Sequence, residues 1–336
     1  MTKKINLALQ GGGAHGAFTW GVLDALLADP MIEFEGISGT SAGAMNAVAL
    51  VQGWCNGLDK GSDPREAARE CLKSFWSGVT DMQNTMNSAP AAQWWAKVAT
   101  QWLSPYQSNP MDLNPLRRHL DALIDFDRLK SFKSIKCFVA ATKVTSGKAE
   151  IFSGKRLTVE AVMASACLPT LFKAVEIEGE AYWDGGFSGN PAFHPLIYQC
   201  ESADIVLVQL NPVVRETVPT TVEEIADRIN EINFNASVIS QMRAIAFVQR
   251  LLADGKLDPA HYKNVRMHRI DGGDDLEAYN AATKLSADAT QTRALFKLGQ
   301  ERTQLWLGKH RTALGEKSSV NIARDYLDDM RMGPHT

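Results

Sequence analysis

The chain is poor in the features that mark nucleic-acid binders, membrane-spanning proteins and disulfide-stapled secreted domains. Its 336 residues carry 35 Lys and Arg against 38 Asp and Glu, a formal net charge of -3. No stretch combines clustered basic residues with interleaved aromatics, so the footprint that nucleic acid requires is missing. Apolar runs fall short of the roughly 18 residues of a membrane span. In MTKKINLALQ the apolar run is broken by Asn6 and Gln10 and then meets glycines, which is the wrong build for a signal-peptide core. The five cysteines (Cys55, Cys71, Cys137, Cys167 and Cys200) are odd in number, widely spaced and form no C-x-x-C. Reduced, buried thiols are expected, as in a cytoplasmic protein, with neither a disulfide framework nor a zinc site. No internal repeat or low-complexity segment breaks the pattern.

What is present is an alternation of strands and helices. Residues 5–10 read as a buried strand, 16–28 as a helix with Phe18, Val22 and Leu26 on one side, 34–39 as a second strand and 42–51 as a small-residue helix. Further strands are expected at 135–141, around Tyr182 and Trp183, at 205–210 and at 265–270. This rhythm predicts an α/β fold with a largely parallel sheet. Residues 53–131 interrupt it with a mostly helical insertion holding Trp54, Trp76, Trp94, Trp95 and Trp102. Those rings either line an apolar substrate cleft or pack the insertion onto the core. From 221 onward the chain is largely helical, with amphipathic helices at 221–253 and 284–307. One domain over residues 1–336 accommodates all of this.

Two glycine-rich turns carry the chemistry. The first, QGGGAHG, satisfies G-x-G-x-x-G through Gly11, Gly13 and Gly16, and Glu33 and Glu35 follow at about the distance of a ribose-binding acid. A dinucleotide site is therefore one reading. The second turn, Gly39-Thr40-Ser41-Ala42-Gly43, is a G-x-S-x-G between a strand and a helix. In a nucleophile elbow the glycines relieve crowding, and the serine hydroxyl sits near a helix N-terminus. With a serine so placed, the first turn reads better as an oxyanion hole, its amides at Gly11, Gly12 and Gly13 unobstructed by side chains. A P-loop is excluded because Ala17, not Lys, follows Gly16. Asp271, Asp274 and Asp275 form a charged turn without EF-hand spacing, so no metal is expected. Asp184-Gly185-Gly186, at a strand end, is by itself an ordinary turn sequence.

Taken in order, G-G-G-x-x-G, G-x-S-x-G and D-G-G, with Ala164-Ser165-Ala166-Cys167-Leu168-Pro169 between the last two, resemble the patatin-like phospholipase family. The likeness covers residues 5–52 and 134–210 well and the remainder loosely. It implies a three-layer α/β/α fold and acyl transfer from lipid or other carboxylic esters to water, without a cofactor. It also implies a dyad, with Ser41 as nucleophile and Asp184 as the base that accepts its proton. Contact with a membrane or lipid surface, through Trp94 and Trp95, stays open. One departure is His15, where the family usually carries Arg or Lys; a substrate-facing role and a packing role are both open for it. A full triad would require one of His194, His261, His268, His310 or His335, all of which follow Asp184. A lipid-binding module without turnover is the remaining alternative.

Overall fold

The computed structural model describes residues 2–87, 105–108, 114–277, 279, 281–284 and 287–327. Eight strands form one sheet: β1 (Lys3–Leu9), β2 (Ile32–Thr40), β3 (Lys136–Lys143), β4 (Ala149–Ser153), β5 (Val175–Ile177), β6 (Glu180–Asp184), β7 (Asp204–Gln209) and β8 (Arg266–Asp271). The central run β3-β2-β1-β7-β8 is parallel throughout, while β4, β5 and β6 join antiparallel at the β3 end. The helices that bear on the core and the site are α1 (Gly16–Leu27), α2 (Ala42–Lys60), α3 (Pro64–Asn87), α4 (Val159–Ser165), α5 (His194–Gln199), α6 (Val222–Ala253) and α7 (Ala289–His310).

Side chains along the strands alternate between two apolar clusters, which makes three layers. Ile5, Leu7 and Leu9 of β1, with Val206 and Val208 of β7, pack beneath Phe18 and Val22 of α1, Val48 of α2 and Leu295 of α7. Ala8, Leu207 and Phe138 point the other way, onto Leu196 of α5 and Val238 and Met242 of α6. Because both faces are covered, β1 and β7 read as near-continuous apolar runs. All five cysteines are buried and none forms a disulfide. Among the described residues no helix is long and apolar enough to cross a membrane.

Each of the six expected strands is present within two or three residues of its predicted position. The helix expected at 42–51 runs on to Lys60. Gly53 and Gly57 let α3 approach so closely that a Cβ at either would meet backbone of Ala67, Ala68 or Pro64 within about van der Waals exclusion. The helix expected from 284 starts at Ala289, because Asp288 caps it by accepting the amides of Thr290 and Gln291 at 2.9 and 3.0 Å. Strands β4 and β5 had no counterpart in the sequence reading. They are short and half-exposed, so they lack the apolar runs that reveal the others.

Within the 53–131 insertion, Trp76 is buried and donates to Asn46 Oδ1 of α2 at 3.0 Å, and Trp54 packs edge-on against Phe34. These two rings fasten helices to the core. Trp94, Trp95 and Trp102 lie outside the described residues.

Candidate active site

Ser41 is the single residue between β2 and α2, held at φ 55 and ψ -123. A residue with a Cβ at positive φ is strained, and such strain persists only where the surroundings enforce it. The two flanking glycines do so. A Cβ on Gly39 would collide with the Gly43 carbonyl, and one on Gly43 with the Leu9 carbonyl, so strand, turn and helix close up against β1. Ser41 N–H donates to Ser165 Oγ at 2.9 Å, while its hydroxyl caps no backbone amide of α2. The hydroxyl is thereby left at the positive end of a 19-residue helix.

Strand pairing brings Asp184 to the same place. On one edge of β3, residues 136–140 pair with β2, ending at Thr40 opposite Ala140; residues 141–143 pair with β6, beginning at Asp184 opposite Ala141. On the other edge β3 pairs with β4. The last residue of β6 therefore meets the end of β2 head to head. Asp184 is 1% exposed. Its Oδ1 accepts Gly186 N–H at 2.7 Å, and Oδ2 has no hydrogen-bond partner. Burial pushes the Asp184 carboxyl up to about 7, against the opposing pull of the Gly186 amide and the Ser41 side chain. Carboxyl and hydroxyl thus face each other. The segment Ala164–Pro169 fastens both, since Ser165 holds the Ser41 amide and the Cys167 carbonyl accepts Asp184 N–H at 2.8 Å. Thr142 Oγ1 donates to the Asp184 carbonyl at 2.8 Å, and Thr40 Oγ1 to the Gly189 carbonyl at 2.6 Å.

The first glycine turn lies against this pair: a Cβ on Gly11 would stand 2.7 Å from Ser41 Cβ. Its three amides are not equivalent. Gly11 N–H already donates to Asn190 Oδ1 at 2.6 Å, which corrects the expectation that all three are open. Among the described residues the amides of Gly12 and Gly13 donate to nothing, and Gly13 takes φ +58, where a side chain would be strained and would strike the Lys284 carbonyl. His15 faces inward. It is 1% exposed, shares a 2.8 Å hydrogen bond with Thr283 Oγ1 and meets Tyr279 edge-on. Burial, reinforced by Lys284, lowers it to about 3, so the ring is neutral.

The dinucleotide reading loses its acid. Glu35 lies toward the opposite end of the sheet, where its carboxylate accepts the amides of Glu201 and Ser202 at 2.6 and 2.8 Å, and Glu33 stands opposite Lys4 in the backbone register of β2 and β1, near the start of β1. Among the described residues no histidine completes a triad. His268 does stand between a serine and an aspartate, 3.1 Å from Ser319 Oγ and 3.0 Å from Asp204 Oδ1, but Asp204 opens β7 at the far end of the strands. His194 and His261 are exposed, His310 is half-buried beside Trp306, and His335 lies outside the described residues. Asp271 and Asp275 pair with Arg269 and Arg302, each at 2.6 Å, as a charged turn should. No cluster suited to a metal ion occurs among the described residues.

Sequence reasoning missed Ser165, Asn190, Asn211 and Lys284. Ser165 sits within the Ala164–Pro169 segment and Asn190 four residues after the Asp184-Gly185-Gly186 turn, whereas Asn211 and Lys284 left no local signal.

Comparison with known proteins gives the family. The family model described as "Patatin-like phospholipase" matches residues 7–197, which include Ser41 and Asp184. "Uncharacterized protein YjjU" of Escherichia coli (strain K12) is 27% identical over 187 residues, 55% of this chain and 46% of that protein, so this chain spans less than half of that relative's length. The crystal structure of VipD from Legionella pneumophila superposes with a TM-score of 0.43 at 18% identity, covering 92% of this chain and 67% of that one. With more than half of its length matched, the chain belongs to the patatin-like phospholipase family.

Proposed function

We propose that this protein is a serine acyl hydrolase that cleaves carboxylic esters of lipids through a Ser41–Asp184 dyad and a covalent acyl-serine. Ser41 Oγ attacks the ester carbonyl as its proton passes to Asp184 Oδ2, and the amides of Gly12 and Gly13 take up the developing oxyanion. Collapse breaks the bond to the leaving alcohol, which receives the proton from Asp184. Water then repeats the sequence on the acyl-serine: its proton goes to Asp184, the acid departs, and Ser41 Oγ regains a proton. The observation that carries this reading is the unpartnered Oδ2 of a buried Asp184 facing a strained serine at a helix N-terminus. A carboxyl raised to about 7 suits proton exchange near neutral pH.

Lipid esters are favoured by the family membership. Contact with a lipid surface fits one further feature. The inner face of α6 bonds the site loops through Asn235, and Phe234 meets Phe187 just beyond Asp184. Its outer face carries an exposed aliphatic row, Val222, Ile225, Ile229 and Ile232.

The test is a panel of chromogenic esters and phospholipids, together with a labelled fluorophosphonate, applied to wild type, Ser41→Ala and Asp184→Asn. Turnover and labelling in wild type alone are expected. A wild type that binds lipid yet neither turns over nor labels identifies a non-catalytic lipid-binding module instead.

A further inference from the structure

The Gly11 peptide is tied on both sides. Its N–H is held by Asn190, and its carbonyl accepts Asn211 Nδ2 at 3.0 Å. In a trans peptide the carbonyl and the following N–H point in opposite directions. The bond to Asn211 therefore aims Gly12 N–H away from Asn211, and whatever orients that side-chain amide orients the Gly12 donor. Asn211 is 1% exposed, and Nδ2 also reaches Gln10 Oε1 at 3.3 Å. Its Oδ1 accepts Lys284 Nζ at 2.9 Å. An ammonium group can only donate, so it fixes which end of the Asn211 amide is oxygen and turns the NH₂ toward the Gly11 carbonyl. With Lys284 absent, the flipped amide would set its oxygen against two carbonyl-type oxygens only at a penalty, but nothing would hold Oδ1 in place.

Lys284 is also the charged group at this turn. Its own backbone abuts Gly13, and His15 beside it is neutral. Among the described residues Lys284 makes no ion pair; burial lowers the pKa of its ammonium, the Glu231 and Asp227 carboxylates support it from farther off, and Glu231 is engaged by Arg215 and Arg228. Both Asn211 and Lys284 lie beyond residues 7–197, the part matched by the family model.

We propose that Lys284, acting through Asn211, is a positioning residue for the oxyanion hole: it locks the Gly11–Gly12 peptide with the Gly12 amide toward the reacting carbonyl. This rests on the serine-hydrolase reading above.

The experiment uses the full chain and compares wild type, Lys284→Met, Lys284→Gln and Ser41→Ala. Each is assayed for kcat and KM on a neutral p-nitrophenyl ester, for Ki of a trifluoromethyl ketone, and for thermal unfolding. The ketone forms a tetrahedral adduct with serine and so reports on the oxyanion hole directly. Lys284→Met is expected to lower kcat by about 10- to 100-fold, as misplacement of one donor does, with KM within about twofold. Ki for the ketone should rise by a similar factor. Lys284→Gln still offers a donor to Asn211 Oδ1, though a neutral one on a shorter side chain, and should recover part but not all of the loss; it also serves if the methionine variant does not fold. Unchanged kcat and Ki in either folded variant, or a loss confined to KM, would overturn the proposal. So would a glutamine variant no better than methionine. Activity in wild type that survives Ser41→Ala would instead defeat the underlying reading.

Discussion

Replacing Asp184 by Asn should abolish turnover while making the protein more stable at alkaline pH. Both effects follow from one buried carboxyl. It ionises near 7 in the folded chain, against an ordinary value of 3.8. Below both values the group is protonated whether the chain is folded or not, and it has no effect on the pH dependence of stability. As pH rises from 3.8 to 7, the unfolded chain loses the proton and the folded chain keeps it, so the native state is progressively disfavoured. At about 1.4 kcal/mol per unit, the full penalty is about 4 kcal/mol above pH 7, and about 3 kcal/mol of it accrues between pH 5 and pH 7. Asparagine retains the oxygen that accepts Gly186 N–H and does not titrate. Urea unfolding of wild type and Asp184→Asn at pH 5 and pH 8 should therefore show the variant's advantage growing by about 3 kcal/mol across that interval. In parallel, wild-type kcat/KM on a neutral ester should climb about tenfold per unit below pH 7 and level off above it, because only the ionised carboxylate accepts the serine proton. Asp184→Asn should lose about 10³- to 10⁴-fold in kcat. A stability difference that stays constant from pH 5 to pH 8, combined with a flat rate profile, would refute the reasoning.

Other perturbations separate site from scaffold. His268→Ala removes a fully buried ring from between Asp204 and Ser319 and should cost about 2–4 kcal/mol in urea unfolding, with kcat/KM within about tenfold of wild type; a far larger kinetic loss would reinstate a triad. Gly43→Ala drives a methyl group into the Leu9 carbonyl and should destabilise by about 3 kcal/mol, read as a fall in the urea midpoint. His15→Arg restores the residue type usual in the family but buries a second cation beside Lys284. A loss of about 3–5 kcal/mol is expected, and less when Lys284→Met is present, so a double-mutant cycle in thermal unfolding should show coupling. Ile225→Asp with Ile229→Asp should weaken co-sedimentation with zwitterionic vesicles while hydrolysis of a soluble ester is unchanged; equal vesicle binding would move the lipid contact elsewhere.

The sequence disclosed this molecule unevenly, and the unevenness follows how its residues are constrained. The central strands were legible because both faces are buried, which forces near-continuous apolar runs at Ile5–Leu9, where Asn6 is the one polar residue, and Ile205–Val208. The Ser41 elbow was legible because backbone crowding admits only glycine at 39 and 43, a local demand that leaves a local trace. Asp184 was harder. An aspartate before two glycines is ordinary turn chemistry, and what distinguishes it is its register beside Ala141, in line with β2. Long-range pairing of that kind leaves no pattern within a window of sequence. The same holds with more force for the polar atoms under the glycine turn. Gln10 bonds to residues 190, 210, 211 and 235 across about 200 positions of chain, and each of those partners is a common residue in unremarkable surroundings. Nothing adjacent to Lys284 requires a lysine. The requirement comes from Asn211 Oδ1, which needs a donor, and from Gly11, whose carbonyl needs the other end of that amide. The motifs therefore located the groups proposed to react, while the groups proposed to aim them were specified by the fold as a whole. Substitutions at Asn211 and Lys284 should accordingly show in kcat more than in stability or substrate affinity.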